Sequence, residues 1–357
     1  MATAGEGDHH LVDDAVLADD GAVHRGAQAP GRFPCIGRRT DGRGCIGSVH
    51  RRSIVLPLPE LPEIEVVRQS LRPVLEGASM RVVRVGPHDM RARGRGRNAR
   101  VRGPWMTARQ LLDGARIDRL ERCGKQLAIV ARDGRTLVVQ LGMSGQLIAG
   151  DCDATHRHVT WDAVRGRSRV PVTFRDPRRF GGLSSWPTFD AVRQAWDDEL
   201  GPDALDIDPG HLRTALTGRR SVKAALLDQR AVAGVGNIYA DESLHRAGID
   251  PRMRCTRLRD HDIEVLAREI RHVLGRAVVR GGSTLRDHRS AIGSRGDAQQ
   301  EHAVYGRGGL PCLGCGSAIR TCRLAGRTTS WCPACQPLVH RQSPGNVRTS
   351  VRHRSRH

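Results

Sequence analysis

Pro59-Glu60-Leu61-Pro62-Glu63-Ile64 is the stretch from which the rest of the chain can be read. Over residues 62–76 the apolar positions Ile64, Val67, Leu71 and Val74 recur at helical spacing. Glu63 and Glu65 fall in the first turn, where the helix dipole favours negative charge, and Gly77 can end the helix. Strand-like sequence follows. Residues 80–85 alternate in polarity, and 126–130 and 136–140 flank an Asp133-Gly134 turn. Residues 159–161, 170–174 and 183–186 read as further strands, so 59–187 is expected to form one helix and a β-rich domain. Beyond Pro187 the period changes. Residues 189–199, 211–217, 222–229, 238–247 and 260–279 suit helices, with turns at 232–236 and 248–251, and define a helical region over 188–303. A cysteine-bearing module over 304–337 and a basic tail over 338–357 complete the chain.

The 357 residues leave room for two domains and a small module. There is no run of 18 apolar residues, which excludes a transmembrane helix and argues against a membrane partner. The formal net charge is +20, from 58 Lys and Arg against 38 Asp and Glu, and implies a polyanionic partner, most simply nucleic acid, bound with strong salt dependence. Residues 1–58 lack the apolar segment of a secretory signal, so the protein is expected in the cytoplasm, and its cysteines suggest a metal site rather than a disulfide framework.

That site is marked by spacing. Cys312-x2-Cys315 and Cys332-x2-Cys335, sixteen residues apart, present two pairs of thiolates to one ion. Two such turns complete a tetrahedral zinc shell that leaves no open position, so one structural Zn2+ is expected and no catalytic metal or organic cofactor. The ion holds a β-hairpin that has too little core to fold alone. Arg327 lies between the pairs, near the expected hairpin tip, where it can touch phosphate. Cys35, Cys45, Cys123, Cys152, Cys255 and Cys322 share no spacing.

Several motifs occur in the order found in the formamidopyrimidine-DNA glycosylase family, which the chain resembles from about residue 59 to 337. They are Pro59-Glu60-Leu61-Pro62-Glu63, Gly124-Lys125, Gln140-Leu141-Gly142-Met143-Ser144-Gly145, Asp176-Pro177-Arg178-Arg179-Phe180-Gly181, Leu226-Leu227-Asp228-Gln229 and Gly234-Val235-Gly236-Asn237-Ile238-Tyr239-Ala240. The resemblance implies an α+β fold: an N-terminal β-sandwich with a leading helix, a helix-two-turn-helix domain and a terminal zinc-finger hairpin. It implies a monomeric base-excision repair enzyme that binds double-stranded DNA containing oxidised bases. Such an enzyme flips out oxidised purines, removes them and cuts the abasic strand by β,δ-elimination. Pro59 is then the nucleophile, forming a Schiff base with the sugar, and Glu60 the general acid/base. Glu63 supports the helix start and orients Pro59. Lys125 binds the phosphate beside the lesion. Asn237, Tyr239 and the helix N-terminus they open form an anion site for backbone phosphate, with Lys223 and Arg327 beside it. Met143, Arg178 and Phe180 match the trio that fills the hole left by the flipped base, each in a Gly-flanked turn that argues for exposure.

The sequence departs from the family in two places. Gln140 stands where many relatives carry histidine, and residues 293–300, aligned with the loop over the flipped base, lack the aromatic residues often found there. The Arg- and Gly-rich stretch 90–104 reads as a β-domain loop.

Proline chemistry also fixes where the working protein should begin. Within a chain, a proline nitrogen is a tertiary amide with no usable lone pair; at a terminus it is a secondary amine, roughly a tenth neutral at pH 7 by the ordinary titration of an α-amino group. The residue before Pro59 is Leu58, and some bacterial leucine codons start translation. Residues 1–58 are therefore expected to be untranslated, removed or a disordered extension. Two alternatives are weighed. The endonuclease VIII branch shares the chemistry but prefers oxidised pyrimidines and lacks the Met and Arg-x-Phe trio. A non-catalytic zinc-finger DNA-binding protein results if 1–58 stay attached.

Overall fold

The computed structural model describes residues 59–92, 105–152, 155–283, 291–293 and 296–338. The extension 1–58, residues 93–104 of the Arg- and Gly-rich stretch, residues 294–295 of the 293–300 loop and the tail from 339 lie outside the described residues.

The first helix, α1 (Leu61–Leu75), begins with Pro62 in its first turn and ends one residue before the left-handed Gly77 turn region. Eight strands follow among the described residues: β1 (Ser79–Val85), β2 (Ile117–Cys123), β3 (Gln126–Ala131), β4 (Thr136–Gln140), β5 (Gln146–Ala149), β6 (Arg157–Arg165), β7 (Ser168–Arg175) and β8 (Gly182–Trp186). They form two antiparallel four-stranded sheets, ordered β1-β6-β7-β5 and β2-β3-β4-β8. Ile64, Val67, Leu71 and Leu75 of α1 join one core with Met80, Trp161 and Phe174 of one sheet and Leu120, Ile129 and Leu137 of the other. The outer face of β3 and β4 is closed by α2 (Phe189–Glu199), whose Val192 and Trp196 cover Ala128, Val130 and Val138.

The helical half continues with α3 (Pro209–Ala215), α4 (Val222–Leu226), α5 (Asn237–Arg246) and α6 (Asp260–Val279). Thr188, Asp208 and Ser221 cap α2, α3 and α4 by accepting the Ala191, His211 and Ala224 N–H groups. The helix expected over 222–229 ends early, because Gln229 turns inward to donate to Val235 O and accept from Gly234 N. Those bonds shape the double turn between α4 and α5. A hairpin of β9 (Arg320–Leu324) and β10 (Arg327–Trp331) carries the cysteines.

Leu61, the first residue of α1, belongs to the helical core with Val235, Ile238 and Tyr239. Its helix therefore starts in one core and ends in the other. A charge cluster joins the halves beside it: Arg122 on β2 binds Glu65 of α1 at 2.9 Å and Asp203, after α2, at 2.5 Å. Asp203 also accepts the Gly124 N–H at 2.8 Å, which fixes the turn that carries Lys125.

Candidate active site and nucleic-acid interface

Pro59 is buried against a cavity of about 210 Å3 that is also lined by Lys125, Gln140, Gly142 and Gln229. Residues from the leading segment, three β-domain positions and the double turn thus meet at one point. Glu60 lies beside it, 2% exposed. Its Oε1 accepts the Ile238 N–H at 2.9 Å and its Oε2 the Tyr239 N–H at 3.4 Å. This carboxylate approaches so closely that a Cβ on Gly236 would stand 2.2 Å from Glu60 Cδ, so any side chain at 236 would displace the Glu60 carboxyl. Burial pushes the Glu60 carboxyl above its ordinary range, against the pull of Lys125 and of the α5 N–H groups. Burial likewise lowers the Lys125 ammonium, opposed by Glu60 and reinforced by Arg327. Lys125 Nζ donates to Val235 O at 3.0 Å. A carboxyl raised and an amine lowered beside one another mark a pair of groups displaced from their ordinary titration ranges, as functional sites often carry.

Glu63 is as deeply enclosed. Its Oε2 accepts the Glu60 N–H at 2.8 Å, and its Oε1 accepts the Tyr239 hydroxyl and the Ser283 N–H, both at 2.7 Å. Desolvation raises its carboxyl to about 7 despite those three donors.

These contacts correct two expectations for α5. The anion at its N-terminus is Glu60 of the chain itself, which satisfies N–H groups that a phosphate was expected to take. Tyr239, expected at the nucleic acid, is 2% exposed and turned inward to Glu63, with burial holding its phenol well above the usual range. Asn237 stays at the edge and donates to Thr328 O at 3.0 Å, tying α5 to the hairpin.

Lys223 is the third correction. It is fully buried, paired with Asp241 at 2.6 Å and donating to Thr328 O at 3.2 Å, so no phosphate can reach it. Its charge is used to seat the hairpin on α5. Asp241 and Glu242 complete that seat by accepting the N–H groups of Ser330 and of Ala303, Val304 and Tyr305. Arg327 is exposed at the start of β10, beside the Ala325-Gly326 tip.

Met143, Arg178 and Phe180 do come together. The turns 141–145 and 176–181 pack backbone to backbone, and a Cβ on Gly142 would stand 2.5 Å from Gly181 N. The organiser is Asp176, fully buried, which accepts Ser144 Oγ, Arg178 N and Gly181 N. Held this way, Phe180 is 46% exposed and the Arg178 guanidinium lies 5.0 Å over its ring. Arg178 is exposed and Met143 partly so.

The four motif cysteines converge, their sulfurs all within 4.8 Å of one another. Cys312 and Cys335 are 3.9 Å apart, Cys315 and Cys332 3.4 Å, and none is in a disulfide. A tetrahedral ion with metal–sulfur bonds of about 2.3 Å separates its ligands by roughly 3.8 Å, so the donor set fits. The four residues can hold a metal ion.

A family model described as the formamidopyrimidine-DNA glycosylase N-terminal domain matches residues 58–183, and one described as the H2TH domain of the same enzyme matches 200–289. Proteins named formamidopyrimidine-DNA glycosylase from Laribacter hongkongensis and Phenylobacterium zucineum are 40% and 41% identical over 286 and 300 residues. Each is matched over 100% of its length by 78% of this chain. Among solved structures, the Lactococcus lactis enzyme in complex with DNA containing an abasic site is similar with a TM-score of 0.69 at 31% identity, covering 78% of this chain and 100% of that one. The Thermus thermophilus protein gives 0.65 at 38% identity, covering 78% and 98%.

Proposed function

This chain belongs to the formamidopyrimidine-DNA glycosylase family, and on that premise we propose that it removes oxidised purines from double-stranded DNA and cuts the abasic strand by β,δ-elimination. It is a DNA glycosylase of base-excision repair. The observation that carries the finer reading is the meeting of Pro59 and Lys125 at one cavity, with the buried Glu60 next to Pro59 in sequence, within electrostatic reach of Lys125 and anchored on the start of α5.

Chemistry requires Pro59 to be the first residue, so that its nitrogen has a lone pair. The family match begins at residue 58, which supports that start. The nitrogen attacks C1′ of an extruded nucleotide and the base leaves with the electrons of the glycosidic bond. The amine proton passes to the Glu60 carboxylate, the sugar ring opens, and O4′ takes that proton from Glu60. The resulting iminium acidifies the C2′ proton, whose removal expels the 3′ phosphate; a second elimination expels the 5′ phosphate. Lys125 and Arg327 present positive charge to the strand. Phe180 wedges between bases, Met143 fills the gap, and Arg178 bonds the orphaned cytosine. The metal is zinc, held by Cys312, Cys315, Cys332 and Cys335. It fixes the hairpin that carries Arg327.

Borohydride trapping on a duplex with 8-oxoguanine opposite cytosine tests the reading. Protein beginning at Pro59 should yield a covalent adduct, and protein with one extra residue ahead of Pro59 should yield none. Adduct formation by both forms would point to another nucleophile. Faster action on an oxidised pyrimidine would place the chain in the pyrimidine-preferring branch.

A further inference from the structure

The hydrogen bonds of Glu63 continue past Tyr239. The Tyr239 hydroxyl lies 3.1 Å from Ser283 Oγ, and that oxygen lies 3.1 Å from His302 Nε2. No side chain in this line is more than 9% exposed. His302 follows a short 3-10 turn (Ala298–Glu301) and lines a second cavity of about 380 Å3 beside α5 and α6, together with Tyr239, Glu242, Arg246, His272 and Arg276. At its rim Arg276 and Glu301 are ion-paired and half exposed, so this cavity meets solvent. It shares no lining residue with the Pro59 cavity.

We propose that Ser283 and His302 are positioning residues for the reaction, forming with Tyr239 a wire that exchanges protons between Glu63 and this second cavity. The inference rests on the reading of Pro59 and Glu60 given above. On that reading the duplex lies over the Pro59 cavity. Glu63, whose Oε2 accepts the Glu60 N–H at 2.8 Å, interacts electrostatically with the Glu60 carboxyl, and the wire lets the protonation of Glu63 re-equilibrate from the far side.

Each link can point either way. With Glu63 ionised, Tyr239 donates to Glu63, Ser283 to Tyr239, and the His302 Nε2–H to Ser283. When His302 Nδ1 takes a proton from the cavity, the Nε2 proton passes to Ser283, the serine proton to Tyr239 and the tyrosine proton to Glu63. The end state is a neutral carboxyl donating to Tyr239, with His302 neutral in the opposite tautomer. One proton has moved and no buried group is left charged. The reverse sequence carries a proton out.

Charged groups face both ends of the line. Glu63 is faced by Glu60 at the cap of its helix, by Lys125 in the turn before β3 and by Tyr239 on α5. His302 stacks edge-on with Tyr305 at 5.6 Å and shares its cavity with Glu242, Arg246, His272, Arg276 and Glu301. Glu63, raised to about 7, populates both states near neutral pH, while burial lowers His302 to about 4 and keeps it neutral.

The test is a single-turnover rate profile from pH 5.5 to 9 on a duplex with 8-oxoguanine opposite cytosine. It uses whichever form, full-length or beginning at Pro59, releases the base. Tyr239→Phe, Ser283→Ala and His302→Leu should each slow release at least fivefold at pH 7 and flatten the limb near that pH. Pairs of these substitutions should be no slower than the slower single one, because they interrupt one line. Ser283→Ala removes a single oxygen and keeps the test valid if His302→Leu fails to fold. A folded His302→Leu protein with the original rate and limb overturns the wire, as do losses that multiply in the pairs. Failure of the unsubstituted protein to release base overturns the functional reading and the wire with it.

Discussion

Lys125 and Lys223 are the only lysines among 58 basic residues, and their surroundings differ in kind. Lys125 lies at a cavity edge, with a backbone carbonyl for a partner and a carboxyl, Glu60, within electrostatic reach. Lys223 is sealed under the hairpin and bound directly to Asp241. Burial moves both ammonium groups in the same direction, downward. At Lys223 the cation is bound directly to a carboxylate, Asp241, which burial itself raises to about 7. At Lys125 the bonded partner is a neutral carbonyl, Val235 O, which leaves its charge open to an anion. Both places require a compact point charge; the planar fork of arginine has a different shape and a different hydrogen-bond pattern. The comparison teaches that a lysine in a strongly basic chain can serve packing rather than recognition.

The largest effect expected from breaking this contrast is on stability. Lys223→Met strands Asp241 in the interior and should cost about 3–5 kcal/mol, read from denaturant midpoints. Lys125→Met should change stability by less than about 1 kcal/mol while slowing base release. The salt slope of DNA binding should fall for Lys125→Met and stay unchanged for Lys223→Met. A reversed pattern would return Lys223 to the nucleic-acid face.

A second measurement sharpens the cleft side. Glu63 is raised from 4.5 to about 7 by burial. Its folded state therefore holds the proton more tightly than the unfolded chain. The stability this gives is complete below the ordinary carboxyl range and is lost as pH rises through about 7. A shift of that size corresponds to about 3 kcal/mol at most. Glu63→Gln, which cannot titrate, should flatten the difference between unfolding free energies at pH 5 and pH 8 by an amount of that order. An unchanged slope would mean that Glu63 is ionised throughout.

The smallest effect belongs to Phe180. Because it is half exposed, Phe180→Ala should leave stability within about 0.5 kcal/mol of the original. Binding to a lesion-bearing duplex should weaken by about 1–3 kcal/mol, the usual worth of stacking a base on an aromatic ring. Fluorescence of a base analogue beside the lesion would report the lost wedge.

Much of this architecture was legible in the sequence because it is local. The cysteine pairs announce their cluster by spacing alone. Gly-flanked turns announced the exposure of Phe180, and the 189–199 and 260–279 helices appear where their apolar period placed them. Two strands, β2 and β5, were not apparent. The sequence of β2, Ile-Asp-Arg-Leu-Glu-Arg-Cys, is dense in charge, which becomes compatible with a packed strand because Arg119 pairs with Asp118 and Glu121 and the buried Arg122 pairs with Glu65 and Asp203. The inward turn of Tyr239 and the burial of Lys223 were illegible for a related reason. Each depends on a partner far along the chain, Glu63 and Asp241 or Thr328, and no periodicity encodes such a meeting. The line from Tyr239 through Ser283 to His302 is likewise a product of tertiary structure.

The placement of α1 across both cores has a mechanical outcome. Leu61 is pinned among the helices while Ile64 to Leu75 are pinned among the strands, and Arg122 rivets the joint. Separating the halves at the 187–188 junction would uproot Leu61 on one side and leave Asp203 without its guanidinium on the other. The two lobes are thus welded beside the cavity that Pro59 and Lys125 line, and thermal melting of either should silence the whole molecule in a single step.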